Sequence, residues 1–443
     1  MNDTAPVKYV WYGDDFTGAS DTLATFASSG LRTVLCLGVP RADRLTALGP
    51  LDAVGIAGAA RTMSPEQMIA ELEPVGRYAA ATQAPLLHYK CCSTFDSSPG
   101  IGSLGAAMRI LKPYVKNAFV PVVGGQPSLG RYCAFGNLFA GAGQGGEIFR
   151  LDRHPTMSLH PSTPMGEADL RLHLRAQGVE RIGLVDWRKL GNEGTNDELD
   201  ASIDAAGNDA VLFDVLDDQH LARIGDIMWR RAERAPLLAI GASSVAQAII
   251  AHWRRIGLAP AHGPDLPAKP AGGPVFALAG SQSPVTARQM EVALRDGAGP
   301  FEGVRLDLSR PTRDGLDVEA DARTCAALLN RGCSVLAYTG PVTEGGPSRL
   351  EVAQACGALL KRVLERVPTV RRVGIAGGDT SSISVEALGI WALGFAGLLS
   401  PGVSLTRVHA DDPRLDGLEL MLKGGQMGSA DVFERLLYGL SSG

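Results

Sequence analysis

The N-terminal segment does most to limit the folds open to this chain. A short apolar run begins at Val7 and leads into Gly13, Asp14 and Asp15, and residues 17–29 then have the pattern of a helix. Open α/β sheets place charged groups in this way, at the carboxyl ends of their strands just before a helix. Adjacent carboxylates repel each other unless a cation, a hydrogen-bond donor or a substrate balances them. The segment therefore predicts an α/β fold with a charged site at the end of its first strand.

Apolar strands and helical patterns continue to alternate along the chain. Predicted strands cover residues 8–12, 33–37, 53–56, 86–89, 118–123, 182–185, 210–213, 237–240, 275–278, 304–306, 335–338 and 373–375. Predicted helices cover residues 65–80, 167–176, 217–234, 285–295, 350–367 and 382–393. This alternation predicts mostly parallel sheets that are covered by helices.

One stretch interrupts the alternation. Residues 259–273 contain four prolines and three glycines, which is the composition of a linker. The sequence therefore predicts two α/β domains, residues 1–258 and 274–443, with an interdomain cleft. A Pro/Gly-rich connection would permit the two domains to close over a ligand.

Charge and cysteine content limit the partners and the cellular setting. A net charge of −5 favours neither nucleic acid nor an anionic membrane as a partner. Seven cysteines without a C-x-x-C pair predict reduced thiols in a cytoplasmic protein, and no signal-peptide pattern opens the chain. The apolar residues 388–399 are too few to span a bilayer and predict a buried core helix. Assembly into a homo-oligomer stays open.

Several loops of the second half are rich in glycine and hydroxyl groups. They follow predicted strands and cover residues 279–286, 338–341, 376–382 and 423–428. Paired glycines let the backbone approach a ligand, and free N–H groups at a helix start attract anions. A tight turn with a capping side chain would have the same composition. Because the strand ends of an open sheet lie along one edge, the loops together predict a nucleotide cleft, although no Walker P-loop or dinucleotide fingerprint occurs.

Basic and hydroxyl residues follow two strands of the first half. Lys90, Ser93 and Thr94 follow the fourth predicted strand, and Arg131 follows the fifth. Together they could hold a carboxylate or a phosphate, with Arg131 as a bidentate clamp. An isolated basic residue is more often a solvated surface charge. The strand-end position, shared with the N-terminal carboxylates, favours a substrate site.

Two histidines lie in a proline-containing segment, residues 152–161. With Asp152 they could suggest a metal site, but each histidine precedes a proline in extended chain, and no further ligand pattern is nearby. A loop that closes over the substrate is the better interpretation, with His160 as its polar contact.

Several segments together resemble the four-carbon acid sugar kinase family, which includes 3-oxo-tetronate kinases and threonate kinases. The opening Y-G-D-D-F-T-G-A-S-D is similar to the family's A-D-D-x-T-G-A-x-D. The stretch A-G-S-Q-S-P-V-T-A-R-Q-M is similar to its G-S-x-S-x-x-T-x-x-Q, and A-G-G-D-T-S-S to its G-G-E/D-T. The closing L-K-G-G-Q-M-G is similar to its K-S-G-N-F-G. The matches occur in order through both halves of the chain.

The resemblance implies an ATP-dependent kinase that phosphorylates a hydroxyl of a four-carbon or similar short acid sugar, such as a tetronate or 3-oxo-tetronate. ATP and Mg²⁺ are the implied cofactors, with an acid-sugar-binding domain in residues 1–258 and a nucleotide-binding domain in residues 274–443. The implied nucleotide contacts are Ser281, Gly377, Gly378, Asp379, Thr380 and Gly425. The implied substrate contacts are Asp14, Asp15, Lys90 and Arg131.

In such a kinase, either Asp14 or Asp15 would accept the proton of the attacking hydroxyl, with Asp14 preferred, while the other would orient the sugar or the metal. Some segments depart from the family pattern. Residues 90–97 stand where the family often has K-x-D-S-T-L-R-G, residues 126–131 stand where it often has G-R-T-T, and residues 152–165 differ as well. All of them lie in the substrate half, so the identity of the acid sugar stays open.

Two other functions fit the same loops. A two-domain α/β receptor could bind a small carboxylate without catalysis. A phosphatase or an aldolase could use the same loops to hold a phosphate.

Overall fold

The chain divides into two compact units, Met1–Pro264 (unit 1) and Asp265–Gly443 (unit 2). The computed structural model describes residues 7–143, 145–160, 162–191, 196–205, 207–264, 266–312, 315–340 and 346–440. Within these ranges, the side chains of Asn196, Ser202, Ala205, Asp296, Thr312 and Asp379 lie outside the description. The predicted α/β class with mostly parallel sheets is confirmed in both units.

Unit 1 is built on a parallel sheet. Its described strands are β1 Tyr9–Gly13, β2 Thr33–Cys36, β3 Ala53–Ala57, β4 Leu86–Lys90, β5 Pro121–Val123, β6 Arg131–Ala134, β7 Asn137–Gly141, β8 Ile148–Arg150, β9 Ile182–Val185, β10 Ala210–Phe213 and β11 Leu237–Gly241. The parallel sheet has the order β2-β3-β1-β4-β11-β5-β10-β9. Every residue of β1, β4 and β11 is buried, as expected for strands that helices cover on both faces.

The helices of unit 1 lie between these strands. Their bounds are α1 Phe16–Ala27, α2 Ala42–Ala47, α3 Pro65–Thr82, α4 Leu104–Leu111, α5 Leu170–Arg175, α6 Trp187–Gly191, α7 Asn196–Ala205, α8 Asp218–Arg234 and α9 Ser244–Arg255. Capping fixes several of the starts. Ser64 and Gln67 form a capping box at α3, and Asp15 caps α1.

Strand register places the polar loops of unit 1 at one edge. In β1, Gly13 is level with Ala57 of β3 and with Lys90 of β4. Because the three strands are parallel and end level, the residues that follow them leave the sheet side by side. Residues 14–15, 58–61 and 91–97 therefore meet.

Part of unit 1 was not predicted. The strands β6, β7 and β8 form a separate antiparallel sheet, so Arg131 begins a strand instead of lying in a loop. The left-handed residues Gly130 and Gly136 bracket β6. Short strands with bulky and small residues mixed show little periodicity, which explains why the sequence did not indicate them.

Unit 2 has a mixed sheet. Its described strands are β12 Phe276–Ala279, β13 Phe301–Arg305, β14 Pro311–Thr312, β15 Gly315–Leu316, β16 Ser334–Tyr338, β17 Arg372–Ala376, β18 Ile390–Ser400, β19 Val403–Ala410 and β20 Glu419–Lys423. Its helices are α10 Pro284–Leu294, α11 Glu319–Asn330, α12 Arg349–Arg366, α13 Gly378–Leu388 and α14 Val432–Tyr438. The strands β13-β16-β12-β17-β20 are parallel, while β19 and β18 continue in antiparallel order. The strands β14 and β15 form a separate hairpin.

The predicted buried helix over residues 388–399 is wrong, and so is the second half of the predicted helix over 382–393. The helix α13 ends at Leu388, where Gly389 adopts a left-handed φ of 63°, and the apolar run continues as β18. The strand turns at Gly402 and pairs with β19. A short apolar run does not distinguish a buried helix from a buried strand, so the pairing of β18 with β19 decided the outcome.

The Pro/Gly-rich residues 259–273 contain no helix and no named strand in their described part. They include the boundary between the two units. Among the described helices, none has the length and apolarity that a membrane span requires.

Candidate active site

A guanidinium holds the two adjacent carboxylates of unit 1. Arg61 Nη2 donates to Asp14 Oδ1 at 2.8 Å, and Nη1 donates to Asp15 Oδ2 at 2.7 Å. The backbone N–H of Arg61 also donates to the Asp14 carbonyl at 3.1 Å. Arg61 is therefore the immediate counter-charge of this pair, a cation that the sequence alone did not identify.

The two carboxylates differ in what their oxygens bind. Asp15 uses both, since Oδ1 accepts from the Gly18 N–H at 2.7 Å to cap α1 and Oδ2 accepts from Arg61. Asp14 is buried, and its second oxygen accepts no hydrogen bond from any described residue. Burial raises the pKa of Asp14 to about 6, against the opposing charge of Arg61. Asp14 therefore combines raised basicity with an available oxygen.

Lys90 lies beside this pair. It is 4% exposed, and its ammonium donates to the Cys91 carbonyl at 2.9 Å. A Cβ atom added to Gly18 would overlap both the Lys90 ammonium and the Asp15 carboxylate. Both charged groups therefore lie against the first turn of α1, where only a hydrogen atom fits.

Substitution of Gly18 should disturb both activity and stability. Gly18→Ala gains up to about 1 kcal/mol of helix propensity, but its methyl group displaces the buried Lys90 and the Asp15 cap of α1, and loss of a cap costs about 1 kcal/mol, so the variant should unfold below the wild-type temperature. The added methyl group displaces Lys90 and Asp15, and we expect kcat/KM to fall by about 10²-fold, the effect of a displacement of about 1 Å. Thermal unfolding and steady-state kinetics on one preparation measure both. A variant with unchanged kcat/KM would show that this contact does not matter.

The loop after β4 adds a further buried carboxylate. Asp96 accepts a hydrogen bond from Thr94 Oγ1 at 2.6 Å, and its Oδ2 lies 4.0 Å from Arg61 Nε. Burial opposes the ionisation of Asp96, but Arg61 and hydrogen bonds from Cys92 and Thr94 outweigh it, so the pKa of Asp96 lies below its ordinary value. Thr94, a predicted substrate contact, thus reaches the cluster through Asp96.

Helix α5 and the turn that follows it hold this loop in place. The Ser97 hydroxyl lies 2.8 Å from His173 Nε2 and accepts from Gln177 Nε2 at 2.9 Å. Gln177 Oε1 in turn accepts from the Leu104 N–H at 2.7 Å. Burial lowers the pKa of His173, so its ring is a neutral partner in this network. His173 of α5 and Gln177, which follows that helix, therefore support the loop rather than face a substrate.

Arg131 lies near the cluster but outside the ion pairs. Its Nη1 donates to the Leu129 carbonyl at 2.6 Å, its Nε is buried without a hydrogen-bond partner, and the Cys92 thiol is close enough to act on its charge. Among the described residues, no carboxylate lies within 4.0 Å of Arg131. A half-buried guanidinium without a carboxylate partner is suited to an anionic ligand.

The other predicted substrate contacts are less closely placed. His160 Nδ1 accepts from the Thr163 N–H at 3.2 Å and lies 3.0 Å from Thr163 Oγ1. Ser93 is half-buried between Cys92 and Thr94. Their assignment to substrate binding remains a prediction.

In unit 2, loops that follow the strands line one pocket of about 390 Å³. Residues 280–283 follow β12, residues 377–380 follow β17, and Gln426 follows β20. Arg349, Val352 and Ala353 of α12 complete the wall. The pocket therefore contains Ser281, Gly377, Gly378 and Thr380 of the predicted nucleotide contacts.

Glycine is required where these loops touch. Gly377 has a φ of 131°, a backbone conformation that residues with a side chain rarely adopt. A Cβ atom on Gly280 would overlap the Thr380 hydroxyl, and one on Gly425 would overlap the Ser281 hydroxyl. Gly425 is thus packed directly behind the pocket wall. The predicted contact of the Asp379 side chain, like residue 341 of the loop 338–341, lies outside the described part of the chain.

Two buried polar side chains of α10 hold the last of these loops. Thr286 Oγ1 donates to the Gly425 carbonyl at 3.0 Å. Gln289 Nε2 lies within 3.1 Å of the carbonyls of Met427, Gly428 and Ser429. Residues three apart lie on one face of a helix. This geometry explains the T-x-x-Q spacing, which fastens the loop 424–429 to α10.

Two family models match successive parts of the chain. A family model described as a sugar-binding N-terminal domain matches residues 9–249, and one described as a nucleotide-binding C-terminal domain matches residues 276–433. The chain is 40% identical to the 3-oxo-isoapionate kinase of Paraburkholderia graminis, over 99% of this chain and 96% of that protein. The chain belongs to the four-carbon acid sugar kinase family. This confirms the resemblance that its motifs indicated, and membership makes the chain a kinase.

Further comparisons extend the match. The kinase is 32% identical to the 3-oxo-tetronate kinase of Methylobacterium radiotolerans, over 96% of this chain and 97% of that protein. Among solved structures, its fold is similar to a Salmonella typhimurium protein described as a putative tRNA synthase. That match has a TM-score of 0.77 and 24% identity, and it covers 96% of this chain and 98% of the other.

Sequence reasoning missed two residues of the cluster in the kinase, Arg61 and Asp96. Arg61 follows the end of β3, the same position that drew attention to Lys90 and Arg131, so this signal was present. Asp96 lies within residues 90–97, where the sequence pattern assigned no role to this side chain, because a loop gives no indication of which side chains point inward. Both residues reach the cluster because β1, β3 and β4 end level with one another.

Proposed function

We propose that this kinase transfers the γ-phosphoryl group of ATP to a hydroxyl of a short 3-oxo acid sugar of the tetronate or isoapionate type. The observation that carries the proposal is Asp14, a buried carboxyl with a raised pKa and one oxygen free of hydrogen bonds from described residues. Relatives that match over nearly the whole length and are named as kinases of 3-oxo acid sugars support this substrate class.

In the proposed reaction, the substrate hydroxyl oxygen attacks the γ-phosphorus and the bond to the β-phosphate oxygen breaks. The hydroxyl proton passes to Asp14, and ADP leaves with the bonding electron pair. Arg61 holds Asp14 in position and limits its basicity. Asp15 is proposed to orient this pair while it caps α1, because neither of its oxygens is free. This assigns the base to Asp14.

The substrate carboxylate is proposed to bind Arg131 and Lys90, with Ser93, Thr94 and His160 as polar contacts. Arg131 is the stronger candidate because its guanidinium can bind a carboxylate in a bidentate way and its buried Nε has no hydrogen-bond partner among the described residues. Lys90 already lies beside Asp15 and would act at longer range.

The nucleotide phosphates are proposed to bind the glycine and hydroxyl groups at Ser281, Gly377, Gly378, Thr380 and Gly425, with Asp379 beside them. Mg²⁺ supplies charge neutralisation on the phosphates when bound. Among the described residues, no group of three or more His, Cys, Asp or Glu side chains could hold a metal ion. Magnesium commonly keeps phosphate and water as its ligands. The glycine and hydroxyl groups of this pocket therefore fit an ion that is held mainly by the nucleotide.

The proposed setting is the cytoplasm, where ATP is available and thiols stay reduced. All seven cysteines are free in the structure, which supports a reducing compartment.

A substrate panel tests the proposal. ADP release should be measured with 3-oxo-isoapionate, 3-oxo-tetronates, threonate and erythronate, against a reaction without acid sugar. We expect ADP release to depend on a 3-oxo acid and to be strongly reduced in Asp14→Asn. Nucleotide-dependent stabilisation without turnover on any acid would indicate a binding protein. Release of inorganic phosphate from a phosphorylated acid, without ADP, would indicate a phosphatase.

A further inference from the structure

Lys423, at the end of β20, is fully buried although it carries an ionisable amine. Its Nζ donates to Thr286 Oγ1 at 3.1 Å, and the Thr286 hydroxyl donates onward to the Gly425 carbonyl at 3.0 Å. The Lys423 carbonyl accepts from the Gly377 N–H at 2.9 Å. The residue is therefore tied to two of the loops that form the nucleotide pocket, without lining the pocket itself.

The ammonium of Lys423 has no ionic partner among the described residues. No described carboxylate lies within 4.0 Å of Nζ, and burial lowers the pKa of Lys423 to about 8. An ammonium transferred from water to a protein interior is strongly disfavoured unless a negative charge compensates it. The hydroxyl of Thr286 supplies one hydrogen bond but no charge. The compensating charge is thus missing from the described protein.

Charged side chains on the surrounding elements are engaged elsewhere. Arg372 and Glu419 pair with each other at 2.6 Å at the start of β17 and β20. On α10, Arg288 and Glu291 pair at 2.9 Å on the exposed face. Other charged or titratable groups on nearby elements include Arg407 and His409 of β19, Glu386 of α13, Arg349 of α12, which lines the pocket, and Asp379, whose side chain lies outside the description. Arg407, Glu386 and Arg349 are exposed, and His409 packs against Trp391.

We propose that Lys423 is a positioning residue that lies beneath the nucleotide pocket, adds a buried counter-charge for the phosphates to that of Arg349 in the pocket wall, and takes up a proton when nucleotide binds. The inference rests on the proposed binding of nucleotide in this pocket. Phosphates held by Ser281 and Gly377 bring negative charge close to an ammonium in a medium of low dielectric constant, where the attraction is strong. The same ammonium orients the Thr286 hydroxyl toward Gly425, so its charge state affects the loop that packs behind Ser281.

The proton linkage has a definite sign. With a pKa of about 8 in the free protein, Lys423 is about half charged at pH 8. Bound phosphates favour the charged form and raise this pKa, so binding takes up a proton. Affinity for nucleotide must then fall as pH rises through 8, by about tenfold between pH 7 and pH 9 if the bound pKa exceeds 9.

Calorimetry on the full chain tests the inference. Metal-free ADP is titrated at pH 8 in two buffers that differ in ionisation enthalpy, and the difference in observed enthalpy gives the protons taken up. We expect about half a proton per ADP for the wild type and none for Lys423→Met, which should also bind ADP more weakly and with no change in affinity between pH 7 and pH 9. Lys361→Met, which removes an exposed lysine of α12, should behave as the wild type. The phosphates of ADP titrate alike in all three proteins.

The outcomes separate the inference from the proposed function. Absence of ADP binding in the wild type would contradict the nucleotide pocket itself. Binding without proton uptake, or with the same uptake and pH profile in Lys423→Met, would overturn the role of Lys423 alone. If Lys423→Met does not fold, proton uptake by the wild type at pH 8 still decides the question, since wild-type binding without uptake contradicts it.

Discussion

Asp14→Asn is expected to lower kcat by about 10²–10⁴-fold, the usual contribution of a positioned general base. The amide keeps the shape of the carboxyl group and can still accept a hydrogen bond from Arg61 Nη2, but it cannot take a proton from the attacking hydroxyl. ADP should continue to raise the unfolding temperature of the variant, because the proposed nucleotide contacts lie in unit 2. Steady-state kinetics and a thermal shift with ADP measure the two effects separately.

Two controls make this result specific. Asp15→Asn retains a side-chain oxygen that can cap α1, so it should lose less turnover than Asp14→Asn; a larger loss would move the base to Asp15. The wild-type kcat/KM should also rise with pH through an apparent pKa near 6, since Asp14 must be ionised to accept a proton. This acid limb should be missing from the residual activity of Asp14→Asn. A rate that does not change between pH 5 and pH 8 would contradict the assignment.

The sequence predicted the fold class and the glycine loops because both depend on local patterns. Short apolar strands, helix caps and Gly-rich strand ends can each be recognised within about ten residues. The hairpin of β18 and β19 was missed, since an apolar run such as residues 390–400 does not show whether it pairs with a strand or packs as a helix.

The cluster around Arg61 was predicted only in part. Asp14 and Asp15 were indicated by their sequence, as two adjacent carboxylates at a strand end. Arg61 lies 46 residues from Asp15 and meets it only because β1 and β3 are parallel and end level. Contacts across parallel strands depend on register, and register is fixed by packing over a whole sheet. Charge balance indicated that a cation was needed, but it did not identify which one.

Arg61→Met is expected to lower the free energy of unfolding by about 3–5 kcal/mol at pH 8, as when one partner of a buried ion pair is removed. Asp14 and Asp96 are 2% and 5% exposed, so both would keep a negative charge in a buried site without their guanidinium. Activity should be lost as well, because Arg61 holds the proposed base at 2.8 Å. Chemical denaturation, measured at several pH values, gives the change in stability.

The pH dependence of this loss follows from the sign of the Asp14 shift. Arg61 holds the pKa of Asp14 down, so its removal raises a value that is already about 6. A carboxyl whose pKa is raised by folding stabilises the protein below its unfolded pKa of about 4, and this stabilisation is lost as pH rises through the folded value. The loss of unfolding free energy in Arg61→Met should therefore be larger at pH 8 than at pH 5. Arg77→Met, which removes an exposed partner of Glu73, should cost less than about 1 kcal/mol at either pH. Equal losses at Arg61 and Arg77, or a loss at Arg61 that does not change with pH, would show that the guanidinium does not compensate buried carboxylates.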